Sequence, residues 1–176
     1  MRFERTELPG VMRVRMEPVA DERGFFARLF CPEEFAAAGL AFAPLQTSLS
    51  HNTRRHTLRG LHFQAPPFGE GKLVRAARGS FYDVVVDLRA AGPTYRRWTS
   101  AILSADNGEA LFIPEGCAHG FLTLEDATDV VYQIDKLHQP GHARGLRYDD
   151  AALAIEWPAA PNVIAPADLA WPALEP

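Results

Sequence analysis

The amino-acid sequence predicts an all-β fold of short antiparallel strands with a few short peripheral helices. The chain of 176 residues is long enough to bury a core, and its contents of 47% hydrophobic and 23% charged residues are ordinary for a globular protein. Short apolar or alternating runs recur throughout, separated by Gly, Pro, Asn and Asp. Because these runs do not alternate with long helical segments, we expect an antiparallel sandwich or barrel, folded as one domain over residues 1–176.

The first predicted elements are two strands and a helix. Residues 11–17 alternate between apolar and polar side chains, as expected of a half-buried strand. A second short strand is predicted at 25–30, after a turn. A helix is predicted at 33–38, since Pro32 suits its first turn and Gly39 is a typical C-terminal stop.

The rest of the chain is predicted to be a series of strands followed by an irregular tail. Glycine, proline and asparagine turns separate the runs. After Trp157 the sequence is rich in Pro and Ala, so we expect it to wrap the surface with one short helical turn. The predicted strands are 57–63, 73–77, 81–88, 98–103, 110–113, 120–124 and 129–134.

Charge and composition exclude several classes of partner. The formal net charge of −4 argues against general nucleic-acid binding, which relies on a basic face. We see no signal peptide and no apolar stretch near the ~18–20 residues that cross a bilayer, so we expect no membrane partner and a cytoplasmic location. Cys31 and Cys117 are too few for a disulfide framework.

The segment 58–64 concentrates residues that strand packing alone would not require. In a regular strand Arg59 faces one way, while Gly60 and His62 face the other. Gly60 would remove bulk beside His62 and let a ligand approach. The alternative is a hydrogen-bonded structural histidine.

The segment 113–121 holds a second histidine, His119, in a Pro-x-Gly-x-x-His pattern familiar from metal-binding cupins. A metal site would also need a His-x-His and a carboxylate in the first half of the motif. The chain has only His62-Phe63-Gln64 there, so we expect no bound metal and no cofactor.

Three further residues could take part in chemistry or only in packing. Asp83 lies in an apolar strand run, where it could orient His119 by a hydrogen bond or lie on an exposed face. Tyr132 could donate a proton or be a core aromatic. Asp150, in the segment Tyr148-Asp149-Asp150, could equally be a solvated turn residue.

Taken together, these segments resemble the dTDP-4-dehydrorhamnose 3,5-epimerase family of the cupin superfamily. The resemblance runs from about Asp21 to Trp157, and its specificity lies in the joint order and spacing of the motifs. The motifs are Asp-Glu-Arg-Gly-Phe-Phe at 21–26, Leu-Arg-Gly-Leu-His-Phe-Gln at 58–64, Gly-Lys-Leu-Val-Arg at 71–75, Asp-Val-Val-Val-Asp-Leu-Arg at 83–89, Ile-Pro-Glu-Gly at 113–116, Ala-His-Gly-Phe at 118–121 and Ile-Glu-Trp-Pro at 155–158.

The resemblance implies a metal-free cupin-type jelly roll that works as a homodimer on a nucleotide-linked 4-keto-6-deoxy sugar. It implies that His62 is the general base, oriented by Asp150, and that Tyr132 is the acid on the opposite face of the sugar. Lys72 would lie near the C4 oxygen. The implied substrate-binding residues are Arg59, Gln46, Ser48, His119 and His138, together with Arg23 and Phe26 from the partner subunit.

The chain departs from the family pattern mainly where the nucleotide or sugar hydroxyls would be contacted. None of the departures removes the proton-transfer residues, so the reaction type is better supported than the substrate. A different nucleotide, a deoxygenated sugar or inversion of a single carbon would fit these changes. The departures are Arg28, Ser48, Ala143, Ala167, His138 and Cys117.

Three other functions stay open at this point. A nucleotide-sugar 3,4-ketoisomerase would move the carbonyl instead of inverting carbon. A non-catalytic sugar-nucleotide binding protein would keep the cleft without the chemistry. A metal-dependent cupin would need ligands beyond His62 and His119.

Overall fold

The structure is a computed structural model and describes residues 1–174. Strands dominate, and no helix within this range is long and apolar enough to cross a bilayer. In chain order the elements are β1 (Arg2–Arg5), β2 (Met12–Arg15), β3 (Val19–Asp21), β4 (Gly24–Phe26), α1 (Pro32–Ala37), β5 (Gln46–Asn52), β6 (Thr57–Gln64), β7 (Lys72–Arg78), β8 (Ser80–Asp87), β9 (Trp98–Ser104), β10 (Glu109–Ile113), β11 (Cys117–Thr123), β12 (Thr128–Ile134), β13 (Ala143–Gly145), β14 (Val163–Ile164) and α2 (Pro166–Leu169).

Most of the strands form two sheets that pack face to face. The first sheet has the order β1-β2-β10-β7-β12-β5, and the second has the order β13-β6-β11-β8-β9. Neighbouring strands in these orders are antiparallel, and the short β14 joins β6 in parallel. Because strands distant in the sequence lie side by side, such as β10 between β2 and β7, the arrangement is a jelly roll and not a series of hairpins.

Three layers of apolar side chains stabilise the sandwich. The central layer lies between the sheets and includes Val74 from β7 and Phe121 from β11. A second layer, centred on Phe35 of α1, covers the outer face of the first sheet. The third covers the outer face of the second sheet with residues such as Leu146 and Leu153. Each large side chain buried in this way contributes roughly 1.5–3 kcal/mol.

The structure confirms most of the predicted elements, with ends that differ by three residues or fewer. The prediction of a strand over 25–30 is wrong beyond Phe26, where β4 ends. The short strands β1, β3, β13 and β14 were not predicted, and neither was the longer β5, whose residues Gln-Thr-Ser-Leu-Ser-His-Asn lack apolar alternation. It is nevertheless a full edge strand, paired with β12 from Gln46 to Asn52.

The hairpin β3–β4 stands apart from both large sheets. Its strands pair only with each other, and every residue in them is exposed. Val19 is 74% exposed, Phe25 62% and Phe26 79%. Contiguous exposed apolar side chains of this kind are typical of a surface that another chain covers.

Candidate active site

The interior face of β6 carries both Arg59 and His62. His62 lies opposite His119 of β11 and Arg59 lies opposite Phe121, with a register shift between the two pairs. Directly opposed residues share a sheet face, and Phe121 belongs to the central apolar layer. The prediction that Arg59 and His62 face opposite ways is therefore wrong, because β6 holds one extra residue at this bulge.

Gly60 lies at the same irregularity, with a φ of +128° that favours glycine. A Cβ added there would lie 2.5 Å from the Cα of Gly120 and 3.0 Å from the carbonyl oxygen of His119. The missing side chain therefore allows β6 and β11 to approach each other. The interpretation of Gly60 as space for a ligand is wrong for this reason.

His62 is paired with a carboxylate from the C-terminal tail, Asp168. The His62 Nε2 atom lies 2.7 Å from Asp168 Oδ1, and the backbone N–H of Gly60 donates to Asp168 Oδ2 over 3.2 Å. Asp168 is only 6% exposed, whereas the His62 side chain is 44% exposed. An ionised carboxylate can only accept, so Nε2 carries the proton and Nδ1 keeps a free lone pair. This is the arrangement of an oriented base.

The expectation that Asp150 orients His62 is wrong. Asp150 is buried, but its oxygens accept the backbone N–H groups of Ala152, over 2.8 Å, and Leu174, over 2.6 Å. Both bonds hold chain segments on the outer side of the second sheet. Asp150 is therefore neither the histidine partner nor the solvated turn residue that the sequence left as an alternative.

A second histidine–carboxylate pair lies deeper in the same cleft. His119 Nε2 is 2.6 Å from Asp83 Oδ1, with His119 4% and Asp83 0% exposed, so the predicted orienting bond is confirmed and the exposed-face alternative is wrong. Burial raises the pKa of Asp83, and the positive charges of His119 and Lys72 act against that rise.

Tyr132 extends from the facing sheet towards this pair. Its ring packs edge-on against His119, with centroids 5.9 Å apart, and against the central apolar layer. Burial raises the pKa of Tyr132 well above its ordinary value, and the negative charge of Asp83 adds to the effect. The phenol therefore stays protonated at neutral pH, as a proton donor must.

Lys72 lies at the end of the cleft next to His62. It is 7% exposed, and its Nζ atom donates to the His62 carbonyl oxygen over 3.4 Å. A salt bridge of 3.1 Å joins it to Glu70, which also accepts a hydrogen bond from Gln64. These contacts hold the ammonium group beside the candidate base.

Arg59 lines a cavity of about 280 Å³ at the mouth of the cleft, together with His51 and Arg54. Its Nε atom donates to Asn52 Oδ1 over 2.8 Å. Asn52 is 2% exposed, and its Nδ2 atom donates to the carbonyl oxygens of Ser50 and Thr128. The amide is thus fixed so that its oxygen faces the guanidinium, which leaves the other guanidinium nitrogens for an anion.

The remaining predicted site residues divide between this cleft and the surface. Ser48 lies opposite Tyr132 in the β5–β12 pairing, and Gln46 bonds the carbonyl oxygen of Lys136 over 3.0 Å. His138 is exposed in the segment after β12. Arg23 and Phe26 lie on the exposed hairpin β3–β4, where Arg23 bonds Asp21.

Asp168 is the functional residue that the sequence analysis missed. A usable signal was present, because Asp168 and Glu175 are the only acids after Trp157. Pro166 also marks the start of the predicted helical turn on which Asp168 lies. Among residues 1–174, no three His, Cys, Asp or Glu side chains converge as a metal site would require.

A comparison with known families decides the membership of this chain. A family model described as dTDP-4-dehydrorhamnose 3,5-epimerase matches residues 5–176. The chain belongs to the dTDP-4-dehydrorhamnose 3,5-epimerase family. It is an isomerase of the epimerase type.

Relatives of the dTDP-4-dehydrorhamnose 3,5-epimerase family match over most of their length. The enzyme of Methanothermobacter thermautotrophicus is 43% identical over 157 residues, which are 89% of this chain and 84% of the relative. That of Sinorhizobium fredii is 40% identical over 158 residues, 90% of this chain and 81% of the relative. The Bacillus anthracis enzyme, solved with TDP and PPi bound, superposes with a TM-score of 0.96 at 35% identity, covering 98% of this chain and 99% of that one. The prediction of a cupin-type jelly roll is confirmed.

Proposed function

We propose that the enzyme inverts C3 and C5 of a dTDP-linked 4-keto-6-deoxy sugar by proton transfer between His62 and Tyr132. The observation that carries this proposal is the convergence of two groups from facing sheets in one cleft. One is His62, oriented by Asp168, and the other is Tyr132, whose ring packs on His119 directly opposite His62. The names of the relatives supply the substrate class.

The base is His62, acting through Nδ1. The C4 ketone acidifies the hydrogens on C3 and C5, because either carbanion is delocalised onto the ketone oxygen. Nδ1 takes the proton, and the imidazolium that forms is stabilised by Asp168, 2.7 Å from Nε2. The carboxylate does not take the proton. It fixes the tautomer and the orientation of the ring.

The acid is Tyr132, which returns a proton to the opposite face of the ring. The phenol is protonated at neutral pH, and its ring packs edge-on against His119, with centroids 5.9 Å apart. Lys72 and His119 stabilise the charge that develops on the C4 oxygen. Preorganised donors of this type are often the largest single contribution to catalysis. No oxidation is involved, so no nicotinamide is needed.

The diphosphate lies at the mouth of the cleft, against Arg59. The guanidinium is exposed there and held by Asn52, so it can bind a phosphate oxygen without reorganising. The Bacillus anthracis relative was solved with TDP and PPi bound, which supports a nucleoside diphosphate as part of the ligand. Gln46 and Ser48 line the nucleotide side of the cleft.

The enzyme acts as a homodimer in which each subunit completes the site of the other. The hairpin β3–β4 carries Arg23 and Phe26, and in this chain Arg23 forms a salt bridge with the neighbouring Asp21. The exposed Val19, Phe25 and Phe26 give the hairpin an apolar surface for a second copy. Arg23 then adds positive charge to the diphosphate.

The test is product analysis by NMR with dTDP-4-keto-6-deoxyglucose as substrate. We expect the sugar to invert at C3 and C5 without addition of a metal or a nicotinamide. A product with the carbonyl at C3 would instead indicate a ketoisomerase. Binding without any product from thymidine-, cytidine- or guanosine-linked 4-keto sugars would contradict the proposal. Turnover of the cytidine- or guanosine-linked sugar alone would indicate that the departures from the family pattern at Arg28, Ser48 and His138 change which nucleotide the enzyme selects.

A further inference from the structure

The C-terminal tail packs against β13 and the segment that follows it. One side chain of the tail, Trp171, contacts both Gly145 of β13 and the candidate base His62. We propose that Trp171 is a positioning residue that holds Asp168 against His62, and that its ring is itself positioned by packing on Gly145. The inference deepens the proposed function and rests on it for the role of His62. In this role Trp171 acts on the chemistry through Asp168 and His62.

The first observation is how closely the indole ring lies on Gly145. A Cβ added to Gly145 would lie 2.3–2.5 Å from three atoms of the Trp171 ring. Real Cβ contacts are not that short, so any side chain at this position would push the ring away. Gly145 also lies directly opposite His62 in the β13–β6 pairing. The Trp171 ring therefore packs on the strand position directly next to His62.

The second observation is that Trp171 contacts both members of the His62–Asp168 pair. Its ring lies edge-on to the His62 imidazole, with centroids 6.2 Å apart and planes at 70°. Its Nε1 atom donates to Asp168 Oδ1 over 3.4 Å, the same oxygen that lies 2.7 Å from His62. Asp168 is thus held by a strand through Gly60 and His62, and by the tail through Trp171.

The third observation is that the tail has little rigidity of its own. α2 has four residues, and so short a helix is not stable by itself. Two further hydrogen bonds attach the tail to the segment that follows β13. Arg147 donates to the Leu169 carbonyl oxygen over 2.7 Å, and Asp150 accepts the Leu174 N–H over 2.6 Å. Asp168 therefore stays in place because the contacts of Leu169, Trp171 and Leu174 attach the tail that carries it.

Removal of the ring should therefore slow chemistry more than it weakens binding. We expect Trp171→Ala to lower kcat at least ~10-fold with KM changed less than about threefold, because small displacements of a catalytic group cost large factors in rate. Gly145→Ala, which displaces the ring, should have the same effect. Trp171→Phe keeps an aromatic ring packed on Gly145 and should retain most of kcat. Trp98→Phe is the matched control, since it loses an indole hydrogen bond to Leu153 on the outer face of the second sheet.

A second readout does not depend on the substrate. In 15N-histidine-labelled protein, the His62 Nε2 proton bonded to Asp168 should give a protected imidazole signal that His62→Ala removes. We expect Trp171→Ala and Gly145→Ala to lose this signal and Trp171→Phe to keep it, with all variants still folded by circular dichroism. A normal signal and a normal kcat in Trp171→Ala would overturn the inference. Loss of the signal in an enzyme that is inactive on every 4-keto sugar would support the positioning role and reject the proposed function.

Discussion

His62 and Tyr132 face the same cleft, and the groups around each one decide what it can do in proton transfer. Asp168 fixes the tautomer of His62, so the free lone pair belongs to Nδ1. Burial and the charge of Asp83 keep the phenol of Tyr132 protonated. A base with a fixed orientation and an acid that carries its proton until it is transferred are the two requirements for inversion at a carbon beside a ketone.

Exchange of Asp168 for Asn tests this assignment against the one that the family resemblance implied. Asp168→Asn should lower kcat by ~10²–10⁴-fold, because the amide no longer stabilises an imidazolium and can favour the wrong tautomer. Asp150→Asn should lower kcat far less than Asp168→Asn, since the amide oxygen can still accept one of the two backbone N–H groups and His62 keeps its carboxylate partner. Steady-state kinetics of the two variants decide between the two carboxylates. The account fails if Asp150→Asn is the inactive variant.

The sequence could identify most of the site residues but not their pairing. Arg59, His62, His119 and Tyr132 lie in segments that stood out because ionisable groups are unusual in strands with a buried face, and the family resemblance added Lys72. The partner of His62 could not be deduced in the same way. Asp168 is 106 positions away, on a tail whose path no local pattern determines. The bulge that turns Arg59 to the same face as His62 is also invisible to simple alternation.

At the scale of the elements, the contact between β6 and β11 depends on two facing glycines. Gly60→Ala should destabilise the protein by about 2–4 kcal/mol, through a positive φ and a Cβ 2.5 Å from Gly120. Gly24→Ala is a close control for the backbone cost, because its φ is +129° and nothing lies within 4 Å of the added Cβ. Chemical denaturation measures both. Equal losses of stability would show that the glycine contact contributes nothing beyond backbone conformation.

The end of β8 is fixed by a buried carboxylate whose stabilising effect depends on pH. Burial alone would raise the pKa of Asp87, but hydrogen bonds from Arg89 and Thr94 outweigh it and lower the pKa to about 2. The pKa of Asp87 in the unfolded chain is higher, near the ordinary value of 3.8, so the ionised group stabilises the fold above that pH. This contribution is lost as the pH falls from about 4 towards 2.

Asp87→Asn should therefore lower the free energy of unfolding by about 2 kcal/mol at pH 7, with a penalty that shrinks below pH 4. Urea denaturation at pH 7 and at pH 3 measures the difference. Asp149→Asn is the comparison, because Asp149 is paired with Arg147 on the exposed surface and should cost little at either pH. A penalty for Asp87→Asn that does not change with pH would contradict the assignment.

β5, one of several strands that the sequence analysis did not predict, shows why edge strands are difficult to recognise. Its one apolar residue, Leu49, is exposed, since β5 is the edge of the first sheet. An edge strand without an apolar face lacks the alternation by which strands are recognised. The strands with one face in the central layer kept that alternation and were predicted within a few residues.

At the scale of the whole molecule, the proposed dimer makes a prediction that no single chain can satisfy. His62→Ala and Arg23→Ala should each be poorly active. If the hairpin reaches the partner, a mixture of the two variants forms heterodimers in which one site has both changes and the other has neither. Refolding an equal mixture should then restore roughly a quarter of the wild-type activity. An activity equal to the mean of the two separate variants would mean that each subunit uses its own Arg23.

The central claim is a two-sided proton transfer by His62 and Tyr132, and solvent-deuterium exchange tests it most directly. The wild-type enzyme, incubated with dTDP-4-keto-6-deoxyglucose in deuterated water, should place deuterium at C3 and C5 of an inverted product. His62→Ala should place none. Tyr132→Phe should still exchange hydrogen for deuterium but return the starting configuration, because His62 can remove and replace the proton on one face only. Exchange that persists in His62→Ala, or inversion that persists in Tyr132→Phe, would contradict the account.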